Sequence, residues 1–296
     1  MKSYTQLRTE YGVETKNASA ANLTYGDTQM NDFHRRLLAK ADWPFLHRLR
    51  TATTTGSVTF VNLPYDVDQA ESVFITSGST RYTPLPVSSR QQWDELHYSS
   101  ISSDVPEYWF VYNGQIGIWP TPVTTGNTIS INAKVRVIDL NTADISGTVV
   151  AVTSGSTLVE VSAGLTTQMA GFWIRPTFST SANKGDGVWY EISSVSSGTA
   201  MVLARPYGGN TISAGTAVCT ISQMPLLPEA YHDLLLNYGA LRYWNKEEDK
   251  RATNLKVLTD EGIKDLFKTY SVNDLSMVLD DGENTSLQNP NLFITL

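Results

Sequence analysis

Only one cysteine, Cys219, stands in the 296 residues. Without a second thiol the chain can form no intramolecular disulfide and no thiolate metal cluster. Long apolar runs are missing as well: none approaches the ~18 residues that a bilayer-spanning helix needs. The opening stretch MKSYTQLRTEYG lacks the apolar centre of a signal peptide, so the expected setting is a reducing cytoplasm, away from membranes. Basic charge is in short supply too, with 22 Lys and Arg against 29 Asp and Glu and a net charge of -7. A general nucleic-acid-binding surface needs the opposite balance to neutralise phosphates, although residues 1–50 hold eight Lys and Arg against five Asp and Glu. The four histidines, at 34, 47, 97 and 232, have no metal-ligand spacing. A nucleophile elbow, a Walker loop and a dinucleotide fingerprint are all absent. No cofactor, no metal and no catalytic centre is therefore expected, and the chain reads as a non-enzyme.

What is present is a change of period along the chain. Ser3 and Gln6 have capping-box spacing, Leu7 and Tyr11 share a face, and Gly12 offers a C-terminal cap for a first helix. After a polar linker to Gly26, Asp27 or Thr28 is expected to cap a second helix with Met30, Phe33, Leu37 and Ala41 on one face. Arg35, Arg36 and Lys40 fall off that face, and the helix should stop near Asp42, ahead of Trp43-Pro44. From Thr51 the pattern becomes strand-like. Residues 87–106 read as irregular, anchored by Trp93. Tyr108–Tyr112 and Gln115–Trp119 read as a hairpin closed by Asn113-Gly114, the preferred two-residue turn, and Pro120 and Pro122 end the pairing. Ile129, Ile131, Ala133, Val135 and Val137 alternate as in a half-buried strand.

Residues 140–222 contain only seven charged side chains and abound in Ser, Thr, Gly and Val. Six short strands can be read there, as an inserted all-β module, barrel or sandwich. Residues 229–270 hold fifteen charged side chains and two apolar stripes: Leu227, Tyr231, Leu234, Leu235, Tyr238 and Leu241, then Leu255, Leu258, Ile263, Leu266, Phe267 and Tyr270. These make a helical hairpin in which Gly262 is a local weakness. The expected fold class is α+β: a helical bundle of N-terminal helices and C-terminal hairpin, an antiparallel β portion and the inserted module. The expected divisions are 1–139, 140–222, 223–272 and an extended tail, 273–296.

Two constellations invite chemistry. Lys184, Asp186 and Glu191 beside Trp189 resemble the paired carboxylates of a glycosidase, but Gly185-Asp186-Gly187 is also what a tight turn prefers, and the turn is the favoured reading. Trp173 and Trp189 could stack sugars, as in a tail-fibre or adhesin component that binds glycans. For Trp119 and Trp189, alternation with apolar neighbours favours core packing. Arg35 and Arg36 could touch DNA or an acidic partner, though a solvated helix face explains them as well.

The order of motifs resembles the head-to-tail adaptor, or connector, proteins of tailed bacteriophages. The motifs are ADWPFLHR at Ala41 to Arg48, a strand leading to Leu63-Pro64, Pro106 and Tyr108 ahead of GQIGIWPTP, and LPEAYHDLLLNYGALRYW at Leu227 to Trp244. The resemblance implies a virion protein of the neck, made in the host cytoplasm. Twelve copies would form a homo-oligomeric ring beneath the portal protein, extend the DNA channel and dock tail tube or nozzle proteins. Genomic DNA would pass through the lumen without sequence-specific binding, helped by the acidic total. It further implies that the opening hairpin ties the β portion to the helical hairpin. The apolar end, with Leu292, Phe293, Ile294 and Leu296, is the expected partner contact, with Arg35 and Arg36 as secondary candidates.

Overall fold

The computed structural model describes residues 1–54, 56, 58–98, 101–162, 164–178 and 185–270. Among them are five α-helices and a closed six-stranded barrel, an α+β architecture. Helix α1, Tyr4–Glu14, begins with the capping box: the Gln6 N–H donates to Ser3 Oγ and the Ser3 N–H to Gln6 Oε1. It does not end at Gly12. The helix continues to Glu14, Thr15 Oγ1 donates to the Tyr11 carbonyl, and Lys16 takes the left-handed conformation instead.

Helix α2, Ala20–Leu38, is capped by Ser19, eight residues before Asp27, the earlier of the two expected caps. The second half of the stretch read as a linker is therefore its first two turns. Gly26 lies mid-helix, where a Cβ would sit 2.4 Å from the Tyr11 ring. Both glycines read as punctuation mark places where α1 and α2 close on one another, since at Gly12 a Cβ would meet Leu23 at 3.3 Å. Tyr11 itself is fully buried, with its hydroxyl donating to Asn22 Oδ1 at 3.1 Å.

Helices α4, His232–Lys246, and α5, Arg251–Tyr270, pack on the same core as α1 and α2 through Tyr4, Leu7, Phe33, Leu37, Leu235 and Tyr238, with Ile263 and Leu266 from α5. Gly262 is a seat rather than a weakness: a Cβ there would lie 2.3 Å from Leu234 Cδ2. Leu258, expected in the α5 stripe, is 53% exposed. The stripe instead runs through Leu255, Thr259 and Ile263, and the Thr259 hydroxyl is satisfied by the Leu255 carbonyl.

Two buried histidines fix the entry to α4. His34 Nε2 accepts the Leu226 N–H, and His232 Nε2 faces the Leu227 carbonyl while its Nδ1 accepts the Lys2 N–H. Burial, reinforced by the charges of His232 and Arg35, pushes the His34 pKa down to about 3. The unfolded chain binds that proton near pH ~6.5. The stabilising contribution is thus intact above that pH and is lost as pH falls toward the folded value. Between pH ~6.5 and ~4.5 the loss at this site should be about 2–3 kcal/mol. Urea unfolding at the two pH values measures it, and His34→Gln, which keeps an acceptor for Leu226, should flatten the difference.

The β portion between the helices is a sandwich. Strands β1, His47–Thr53, β3, Val67–Ser77, β4, Thr80–Tyr82, and β8, Thr128–Val135, form a sheet in the order β1-β8-β3-β4. Strands β2, Phe60–Asn62, β5, Leu85–Pro86, β6, Tyr108–Tyr112, and β7, Gln115–Trp119, form the other, in the order β2-β7-β6-β5. Their facing sides meet at Val73, Ile75, Ile129, Ile131, Ile116 and Ile118. The β6–β7 hairpin turns through Asn113 and Gly114 at positive φ, as its sequence demands. It does not tie the sandwich to the helices: its apolar residues Ile116 and Ile118 point across the sandwich core. Gly117 faces the other way, beneath Trp93 and Phe60, where a Cβ would lie 2.5 Å from the Trp93 ring. Trp93 belongs to α3, Arg90–His97, a helix capped by Ser89 inside the stretch read as irregular.

The barrel comprises β9, Ile145–Val152, β10, Leu158–Val161, β11, Trp173–Pro176, β12, Tyr190–Ser197, β13, Ala200–Leu203, and β14, Ile212–Ser222, in the order β10-β13-β12-β11-β14-β9. Each overlaps one of the six strands read from sequence. Strand β14 is interrupted by an irregularity between Ile212 and Ala217, with Gly215 at positive φ, which breaks the alternation of its first half. Cys219 is buried in this core, and burial pushes its thiol pKa up to about 12.

Candidate functional site

The barrel meets the sandwich along β1 and β12. In the polar strand HRLRTAT, Arg48 and Arg50 are two residues apart and so share a face, turned toward the barrel. Arg50 is fully buried, and its guanidinium donates to Asp66 Oδ2 at 2.6 and 2.8 Å and to Glu191 Oε1 at 2.6 Å. Arg48 Nη1 reaches the same Glu191 oxygen at 2.6 Å. Burial works against the Arg50 charge, but Asp66 and then Glu191 outweigh it, so its pKa lies above the usual arginine value. Gly171, at φ +86, passes beside the cluster, where a Cβ would approach Asp66 Oδ2 to 2.8 Å. Thr51 Oγ1 completes the joint with a hydrogen bond to Ser194 Oγ at 2.9 Å.

This geometry decides the paired-carboxylate question. Glu191 is held by two guanidiniums, Asp186 Oδ2 accepts the Tyr190 hydroxyl at 2.6 Å, and Asp186 Oδ1 accepts the Val188 N–H at 3.0 Å. Asp186 is thus the side chain of a turn and Glu191 a clasp between modules. Lys184 lies outside the described residues. Among the described residues no group of three or more His, Cys, Asp or Glu could hold a metal ion, and no helix is long and apolar enough to cross a membrane.

Trp173 and Trp189 do come together. With Val188, Ala204, Arg205 and Glu229 they line a cleft of about 560 Å³ between the barrel and the turn that leads into α4. Both tryptophans are half-buried, so Trp189 is not the core residue its alternation suggested. Trp119, by contrast, is buried. The Arg175 guanidinium lies 4.7 Å from the Trp189 ring centre, and Arg205 Nη2 donates to the Trp189 carbonyl at 3.1 Å.

Of the residues expected to meet a partner, Arg35 and Arg36 are exposed in the last turn of α2. Arg35 is committed to Asp32 at 2.5 Å and Asp139 at 2.9 and 3.0 Å, which raises its pKa, Asp32 contributing most. Leu292, Phe293, Ile294 and Leu296 lie outside the described residues. Sequence reasoning passed over a second surface. Exposed Leu85, Ile101, Val105 and Val123 fall in one region, because Leu85 N donates to the Glu107 carbonyl, Thr121 N to the Ile101 carbonyl and Val123 N to Asp104 Oδ1. Their scatter in the sequence concealed it.

A family model described as SU10 adaptor protein matches residues 2–155, just over half of the chain. The match takes in α1, α2, both sheets and the first barrel strand, and it includes the Ala41–Arg48 and Pro106–Pro122 motifs. The rest of the barrel and the α4–α5 hairpin lie beyond it. No curated protein matches the chain.

Proposed function

The chain belongs to the SU10 adaptor protein family, a family of bacteriophage structural adaptors, and from that premise we propose that it is the head-to-tail adaptor of a virion neck. In this reading copies of the chain close into a ring beneath the portal, continue its channel for DNA and present their lower face to tail proteins. The observation that carries the proposal is the family match across the N-terminal helices and the sandwich.

Two features of the molecule support it. A closed ring needs a heterologous contact, so each protomer must show two different complementary faces. The sandwich end with Leu85, Ile101, Val105 and Val123, and the α5 surface with exposed Val257 and Leu258, are two unlike apolar surfaces available for that contact. The net charge of -7 also suits a wall past which phosphates must slide.

The portal contact is assigned to the apolar end, Leu292 to Leu296, with Arg35 and Arg36 beside the ring contact. Burying three or four such side chains is worth about 1.5–3 kcal/mol each. Deleting Gln288 to Leu296 should therefore weaken co-sedimentation with purified portal rings by about a hundredfold or more. If the full chain fails to sediment with portal, the neck assignment is lost. Undiminished binding by the truncated chain would remove the tail from the contact.

A further inference from the structure

We propose that the Trp173–Trp189 cleft is the resting place of the chain's own C-terminal segment, which it holds until a partner takes it. The site stands on four observations. First, the cleft has an open apolar lining: Val188 is 42% exposed and both tryptophans are half-buried. Its volume of about 560 Å³ lies within the ~300–1,000 Å³ typical of clefts that enclose a small ligand, and so suits a few side chains.

Second, the charge left outside ion pairs at the cleft is of one sign, with Arg205 in the lining and Arg175 beside it over the Trp189 ring. Among the described residues neither Arg175 nor Arg205 forms an ion pair, whereas the acids of the cleft are already matched: Glu191 to Arg48 and Arg50, and Glu229 to the Met1 ammonium. Third, the segment after Tyr270 complements that lining in both respects. Residues 271–296 carry Asp274, Asp280, Asp281 and Glu283, no Lys or Arg, and end in the apolar run Leu292, Phe293, Ile294, Thr295, Leu296.

Fourth, the segment departs close by. The Tyr270 ring, at the end of α5, stands 6.1 Å from the Tyr231 ring, and Tyr231 shares a single 3-10 turn with the cleft residue Glu229. At ~3.3 Å per residue when fully extended, the stretch from Ser271 to Asn291 exceeds such a distance several times over, so a fraction of that reach suffices. Aromatic-on-aromatic contact by Phe293 and cation attraction to the acidic stretch then act together.

The holding site is independent of the neck reading; only the identity of the displacing partner rests on it. The test uses the full chain, a chain lacking Gln288 to Leu296, and a synthetic peptide of residues 280–296, and it contains no portal. The peptide should bind the truncated chain with micromolar affinity, read from tryptophan fluorescence, and bind the full chain at least tenfold more weakly because the cleft is occupied. Trp189→Ala and, as a second variant that leaves the aromatic core alone, Val188→Asp should each weaken peptide binding to the truncated chain at least tenfold, with unchanged far-ultraviolet circular dichroism.

Arg175→Gln with Arg205→Gln should remove most of its salt dependence. Equal binding to full and truncated chains would overturn the proposal, as would binding indifferent to both cleft variants. Concentration-dependent dimers of the full chain that vanish with Trp189→Ala would also overturn it, since the occupant would then be a neighbour's tail. Failure of portal co-sedimentation with peptide binding intact removes the neck assignment and leaves the cleft standing.

Discussion

Arg50→Met should destabilise the protein by about 3–5 kcal/mol, the cost of removing one partner from a buried ion pair. The replacement fills much of the volume but strands Asp66, whose Oδ1 already lacks a hydrogen-bond partner among the described residues. Glu191 keeps Arg48 at 2.6 Å, so the loss falls mainly on Asp66. Pairing the change with Asp66→Leu should recover most of the stability, because a buried pair replaced by apolar groups is often near neutral. Urea unfolding of the three variants reads this directly. A loss below ~1 kcal/mol for the single change would mean that the joint between barrel and sandwich is open to water.

Trp43→Ala should cost about 3–5 kcal/mol, the usual range for truncating a fully buried aromatic. Trp43 is fully buried, with its ring 5.5 Å from that of Phe45 and 4.8 Å from that of Phe267, and its Nε1 donates to the Leu37 carbonyl at 3.3 Å. It therefore joins the end of α2 to α5, and through Phe45 to Tyr270, 5.5 Å away, where the tail departs. Trp43→Phe should retain more than half of the lost stability in urea unfolding. The Trp-Pro of the Ala41–Arg48 motif is thus a packing pivot, which gives its place in the resemblance a physical cause. A loss under ~1 kcal/mol would show that α5 does not depend on it.

Where the sequence pattern reports directly on local geometry, it was legible. The Ser3 capping box, the Asn113-Gly114 hairpin, the six barrel strands, the apolar face of α4 and that of α2 as far as Leu37 all follow from caps, turns and period, whereas Ala41 and the expected stop near Asp42 lie beyond the end of α2 at Leu38. Residues whose meaning is set by distant partners were misread. Gly12 looks like a helix stop, Gly26 like the end of a linker and Gly262 like a weak point until a neighbouring helix is seen pressed against each. Strand β1 was not recognised in its N-terminal half because its inward residue Arg50 is an arginine, and only Asp66 and Glu191, far along the chain, explain a charge at a core position. The same applies to Glu191, which resembles an acid of a catalytic pair until Arg48 and Arg50 are placed against it. One regularity pointed to the joint: two arginines alternating in a short polar strand, ahead of a module almost without charge.

The most direct test of the central claim is the mass of the complex formed when the purified chain is mixed with isolated portal rings. The account predicts one discrete species, a portal ring carrying a closed collar with the portal's own copy number. A single copy per particle, or no association under conditions where the chain is folded, would contradict it.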